Sequence, residues 1–150
     1  MAQKKQTSRP VIYNRRAKHD YQIIETFDAG LELKGPEVKS IRTGTASLAE
    51  SFGKIDKGEV FLYNMYIAPY PNSRDVLDSR RKRKLLLHNR EIAKIVAALS
   101  QKGLALVPLR VYFRRNWAKV EIALGKGKRE FDKRQDIKRR ESEREIHRYK

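Results

Sequence analysis

The 150-residue chain contains no cysteine, which excludes a disulfide scaffold, a thiol nucleophile and a Cys-ligated zinc site. It also lacks any long hydrophobic run. The longest, Leu104 to Leu109, is far too short to span a bilayer as a helix. The first apolar pair, Val11-Ile12, is followed at once by Tyr13-Asn14-Arg15-Arg16, so no secretory hydrophobic region opens the chain. No HExxH, GxxxxGK[ST] or GxSxG pattern is present, and nothing marks a metal site, a phosphate loop or an activated nucleophile. Negative charge is scarce as well: 18 Asp and Glu stand against 35 Lys and Arg, a formal net charge of +17. Such an excess disfavours an ordinary metabolic enzyme and favours a polyanionic partner. The expectation is a soluble, cytoplasmic, single-domain protein with no cofactor and no membrane partner.

The charge is unevenly placed. Residues 1–22 are net +5, residues 23–73 net −2, residues 74–90 net +5, residues 91–124 net +4 and residues 125–150 net +5. That distribution suits a folded body with basic appendages that grip phosphates. Residues 1–14 are expected to form a flexible basic arm and residues 15–124 the folded body. Residues 125–150 should form a basic tail, disordered alone and helical on a partner, because apolar residues almost vanish after Gly125.

Within the body, Tyr21, Ile23 and Glu25 to Phe27 predict a strand that stops at Asp28-Ala29-Gly30, with a short alternating segment, Leu31 to Lys34, after it. Pro36, Val38 and Ile41 predict a short helix, with a strand as the alternative. Asp56-Lys57-Gly58 reads as the turn of a hairpin whose arms are Phe52 to Asp56 and Glu59 to Tyr66. Ile92, Ile95, Val96 and Leu99 follow helical spacing over 89–102, with Asn89 as N-cap and Gly103 beyond the end. Leu104 to Phe113 and Trp117 to Leu124 predict two more strands, and Pro108 implies an edge or a bulge in the first. Gly125-Lys126-Gly127-Lys128 reads as a flexible basic hinge. About six short strands with two to three helices suggest a mainly β protein, a small barrel of the oligonucleotide-binding (OB) type.

Catalysis would have to use the three histidines, and a pair such as His19 and His88 could in principle do the acid–base work of RNA cleavage. Aromatic residues among basic ones point elsewhere. Tyr13 and Tyr21 bracket Arg15, Arg16 and Lys18, and Tyr112-Phe113 precede Arg114, Arg115 and Trp117. Flat rings beside guanidinium groups suit stacking on unpaired bases, although strand aromatics more often fill a core. The run Arg80-Arg81-Lys82-Arg83-Lys84 reads as a phosphate grip.

The order of motifs resembles the SmpB family, the tmRNA-binding proteins of bacterial trans-translation. The blocks are Asn14 to Tyr21, Glu25 to Leu31, Leu33 to Arg42, Arg83 to His88, Leu106 to Leu109, Gly125 to Lys128 and Asp132-Lys133-Arg134. No block is decisive alone, but their joint order is highly specific. The resemblance implies an OB-type barrel that binds the tRNA-like domain of tmRNA and stands in for a missing anticodon arm in a stalled ribosome. It implies RNA contacts at Asp28, where the family usually has Glu, and at Leu86, His88 and Lys119, supported by Arg15, Arg16, Arg83 and Lys84. In the tail it implies ribosome contacts at Gly127, Lys128, Asp132, Lys133 and Arg134. Phe131 stands where a family member can carry a stacking His, and Ile146 matches the distal tail loosely. The implied partners are tmRNA, the decoding centre and messenger channel of the small ribosomal subunit and, indirectly, the elongation factor Tu complex.

Overall fold

The computed structural model describes residues 11–71, 73–74, 77–128, 138 and 140–141. Most of the expected arm and tail therefore lies outside the described residues. The elements run β1 (Ile12–Tyr13), α1 (Ala17–Asp20), β2 (Tyr21–Leu31), α2 (Gly35–Arg42), β3 (Ala46–Ser47), β4 (Phe52–Asp56) and β5 (Glu59–Tyr63). They continue with β6 (Tyr66–Ile67), β7 (Arg83–Leu86), α3 (Asn89–Leu99), β8 (Leu104–Arg114) and β9 (Trp117–Gly127).

Every strand pairing is antiparallel, and the pairings β8–β4–β5–β7–β2–β9–β8 close on themselves, so six strands make a mainly β barrel, compatible with the expected OB type. Closure between β4 and β8 rests on a single register pair, Gly53 with Leu106. A Cβ on residue 53 would stand 2.7 Å from Leu106 Cγ, so only glycine lets the two backbones approach. β1 lies further along the same edge of β8, while β3 and β6 form a separate two-stranded ribbon.

β2 is one continuous strand, and Asp28-Ala29-Gly30 does not end it. Ala29 is wholly buried, and a Cβ at Gly30 would come within 3.2 Å of Leu86 Cβ. The small residues there admit a close neighbour and do not make a turn. The hairpin at Lys57-Gly58 forms as expected, with both residues at positive φ (52° and 79°), the twist a two-residue connection favours. Its second arm is shorter than expected: Asn64 turns left-handed (φ 66°), and Tyr66–Ile67 leave the barrel to pair with β3.

Two register shifts decide which side chains face inward. In β8 the shift between Pro108 and Arg110 makes Leu109 the extra residue, so of the edge or bulge that Pro108 implied, the bulge is present. Leu106 faces the core before it and Val111 after it, one parity giving way to the other. In β2 the shift between Ile23 and Glu25 sends Tyr21 and Ile23 to the outer face and Phe27, Ala29 and Leu31 to the inner one. The outer residues join Ala17, Val107, Leu109 and Ala123 in a small second core beneath α1.

α3 covers the barrel through Ile95, with Ile92, Ala98 and Leu99 beside it, while Val96 faces solvent. His88, one residue before the expected cap, is the N-cap. The helix stops at Leu99, and Gly103 (φ 87°) serves the turn into β8 instead of the helix end. Gly125 to Gly127 extend β9 and pair with Ile23, Gln22 and Tyr21, so the expected hinge is strand as far as Gly127.

Candidate nucleic-acid interface

The basic run 80–84 is largely committed within the fold. Strand alternation in β7 turns Arg83 and Leu85 inward and Lys84 and Leu86 outward. Arg83 is fully buried, its Nε donating to Glu37 Oε2 (2.8 Å), Nη1 to the Met65 carbonyl (2.6 Å) and Nη2 to the Ser79 carbonyl (3.1 Å). Arg83 therefore cannot reach an RNA phosphate, and its expected place in the interface is corrected to a structural one. Arg81 grips the same carboxylate through Nε (3.0 Å) and Nη2 (2.5 Å), and the Lys34 N–H donates to Glu37 Oε1 at 2.9 Å. Burial pushes the Glu37 carboxyl up, but the bonds from Arg81, Lys34 and Arg83 outweigh it and hold the group below its ordinary value. Burial likewise lowers the Arg83 guanidinium while Glu37 opposes the change, and an arginine remains charged. Lys82 and Lys84 pair with Asp56 (2.8 Å) and Glu59 (2.7 Å), and each hydrogen bond raises its ammonium above the ordinary range.

A cleft of about 1200 Å³ gathers Asp28, Lys84, Leu86, His88 and Lys119, with Arg114, Arg115 and Trp117 on its wall. Five expected contacts, drawn from β2, β7, the α3 cap and β9, thus share one groove. Leu86 is 50% exposed and Trp117 74%, so two large apolar surfaces face water there. The position of His88 is fixed by α3: its N–H donates to Glu91 Oε1 (3.1 Å), and its carbonyl accepts from the N–H groups of Glu91 and Ile92. Asp28 accepts a hydrogen bond from Tyr112 Oη at 2.9 Å. Arg110 lies over the Tyr112 ring at 4.2 Å and donates to Glu121 Oε1 at 3.0 Å. Partial burial, then the bond to Asp28, raise the Tyr112 phenol above its ordinary range. The bond to Glu121 raises the Arg110 guanidinium. The sequence named Asp28 but did not reveal this array, because its members lie on three strands and meet only through β2–β9 and β8–β9 pairing.

Arg15 and Arg16 line a second cleft, of about 1100 Å³, together with Tyr13, Phe52 and Lys54. They are separated from the first set. Tyr13 is 59% exposed, as a stacking residue must be, whereas Tyr21 packs against the second core. His19 and Asp20 share the helix α1, and His19 Nδ1 lies 3.0 Å from Asp20 Oδ1. The structure thus sets His19 on α1 and His88 in the first cleft, not in a common cleft. No group of three or more His, Asp or Glu side chains suited to a metal occurs among the described residues.

Where β9 ends, Lys128 donates its N–H to the Asp20 carbonyl (2.9 Å) and its Nζ to the Lys18 carbonyl (3.1 Å). Lys128 is thereby tied to α1, while Gly127 pairs with Tyr21 and donates its N–H to the Gly103 carbonyl. Phe131, Asp132, Lys133, Arg134 and Ile146 lie outside the described residues. No described helix is long and apolar enough to cross a membrane.

The chain is similar to proteins already known. The family model described as SmpB protein matches residues 11–150. The SsrA-binding protein of Geobacillus thermodenitrificans (strain NG80-2) is 51% identical over 139 residues, covering 92% of this chain and 90% of that one. The SsrA-binding protein of Persephonella marina (strain DSM 14350 / EX-H1) is 53% identical over 137 residues, covering 91% and 90%. A chain of the solved structure described as "tmRNA-SmpB: a journey to the center of the bacterial ribosome" superposes with a TM-score of 0.68 at 49% identity, covering 85% of this chain and 94% of that one.

Proposed function

This chain belongs to the SmpB family, and from that premise we propose that it is an RNA-binding adaptor of trans-translation, which binds tmRNA and brings it to stalled ribosomes. The convergence of Asp28, Leu86, His88 and Lys119 in one groove carries the reading. Lys119 supplies charge for a phosphate, Leu86 an apolar face for a base or sugar, and His88 and Asp28 polar groups that take up positions on the RNA surface. The element recognised is the folded tRNA-like domain, whose shape a rigid groove can distinguish from other polyanions.

Past the barrel, the basic tail orders on ribosomal RNA, and together they take the place of the absent anticodon arm. In this reading Lys128, Lys133 and Arg134 grip phosphates, Gly127 and Asp132 set the tail's course, and Phe131 stacks at the decoding centre. Ile146 lies further on, toward the messenger channel, and the elongation factor Tu complex is met indirectly through the charged RNA. The tail starts from a fixed point, since Lys128 is hydrogen-bonded to α1. The chain works by binding and by no chemistry of its own, in the cytoplasm.

The test is binding to the tRNA-like domain of tmRNA against excess ordinary tRNA at fixed, near-physiological salt. Retention supports shape-specific recognition, and equal displacement leaves only a phosphate grip and overturns the reading. Incubating labelled RNA with and without chelator tests the absence of cleavage.

A further inference from the structure

Trp117 is the most exposed large apolar side chain among the described residues, at 74%. It stands at the tip of the β8–β9 hairpin, opposite Arg114 across a two-residue connection, Arg115-Asn116. Arg115 holds a left-handed backbone (φ 57°), a conformation in which glycine would sit without strain. Between Arg110 and Val120 the hairpin carries no acidic residue, and Arg114, Arg115 and Lys119 line the same cleft as the indole, with Asp28, Glu32, Glu59 and Glu91 elsewhere along it. A broad apolar ring in a cationic setting suits a flat partner with negative charge on either side of it. A protein partner's apolar patch would gain nothing from that charge.

We propose that Trp117 is a stacking platform for one unpaired base of the bound RNA, with Arg114 and Arg115 on the phosphates beside that base. The proposal rests on the RNA-binding reading and adds a contact to it. Leu86, half-exposed in the same groove, offers the base a second apolar surface. This contact selects for an extruded base and not for a perfect helix, because a paired and stacked base has no free face. It gives an adaptor a means of telling a folded, looped RNA from plain duplex that phosphate contacts lack.

Trp117 is the only tryptophan, so the intact protein carries its own reporter. The experiment titrates the full chain with the tRNA-like domain of tmRNA, following intrinsic fluorescence and, independently, a gel shift. Stacking predicts quenching that saturates with the gel shift. Trp117→Ala should weaken binding about 5- to 150-fold, while Trp117→Phe recovers most of the loss. The dependence of log K on log salt should be unchanged in Trp117→Ala, whereas Arg114→Ala should make it shallower by about one unit. RNA that binds the wild type with unquenched fluorescence, or a Trp117→Ala affinity equal to wild type, overturns the platform and leaves the adaptor function standing. A wild-type chain that does not bind the RNA overturns both.

Discussion

Replacing Glu37 by glutamine would remove the charge that keeps Arg83 inside the protein. The carboxylate is 4% exposed and accepts from Lys34 N–H, from both ends of the Arg81 fork and from Arg83 Nε. Arg83 itself is fully buried, so it cannot swing to water when its partner is lost. Breaking a buried ion pair from one side costs about 3–5 kcal/mol, because the remaining charge is desolvated without compensation. With a urea m-value of about 2 kcal/mol/M, the unfolding midpoint of Glu37→Gln should fall by about 1.5–2.5 M. Chemical denaturation followed by circular dichroism measures this directly. The double variant Glu37→Leu/Arg83→Met, which removes both charges at similar volume, should recover most of the loss. A midpoint for Glu37→Gln within about 0.3 M of wild type would refute the reasoning. pH supplies a second axis. The carboxyl is held below its ordinary value of 4.5, so its contribution is complete above that pH and disappears as pH falls through the lower folded value. The gap between wild type and Glu37→Gln should therefore narrow in acid, and a gap constant down to pH 2 would assign the effect to packing alone.

Gly53→Ala should destabilise by about 1–3 kcal/mol through the collision with Leu106, and Leu106→Ala in the same chain should relieve part of that loss, as a double-mutant cycle of denaturation midpoints would show. Lys119→Ala should flatten the salt dependence of RNA affinity by about one unit with little change in stability, measured by titration between 50 and 200 mM salt. Tyr112 should ionise above its ordinary value of 10.0, and Asp28→Asn should lower that transition; ultraviolet difference titration against Tyr112→Phe isolates the signal. Arg83→Ala should reduce RNA binding in step with lost folding, whereas Lys84→Ala should leave the folded fraction unchanged.

Local signals located the elements whose cause is local. The Lys57-Gly58 hairpin and the long apolar face of α3 appear where residue type and spacing put them, and of the edge or bulge that Pro108 implied the bulge is found. The groove was legible only through the order of family motifs, since Asp28, Leu86, His88 and Lys119 share no local pattern and are joined by β2–β7 and β2–β9 pairing. The run 80–84 was opaque for a different reason. Five consecutive cations look alike in sequence, and what sets Arg81 and Arg83 apart is Glu37, 44 and 46 positions away. The face switch along β2 was hidden as well, because a bulge leaves no mark when both flanking parities are apolar.

The last strand of the barrel is also the one its first long strand depends on: β9 pairs with β2 along nine register positions, from Tyr21 with Gly127 to Gly30 with Lys119. During synthesis β2 must therefore wait, with that edge open, until nearly all of the described barrel has been made. Contacts this remote in sequence make for slow closure, and an open edge bearing Ile23 and Ile24 is a template for pairing between nascent chains. The excess of basic over acidic residues in the part already made sets neighbouring chains repelling one another through that interval. The same cations that suit a polyanion thus protect the unfinished polypeptide from its own kind.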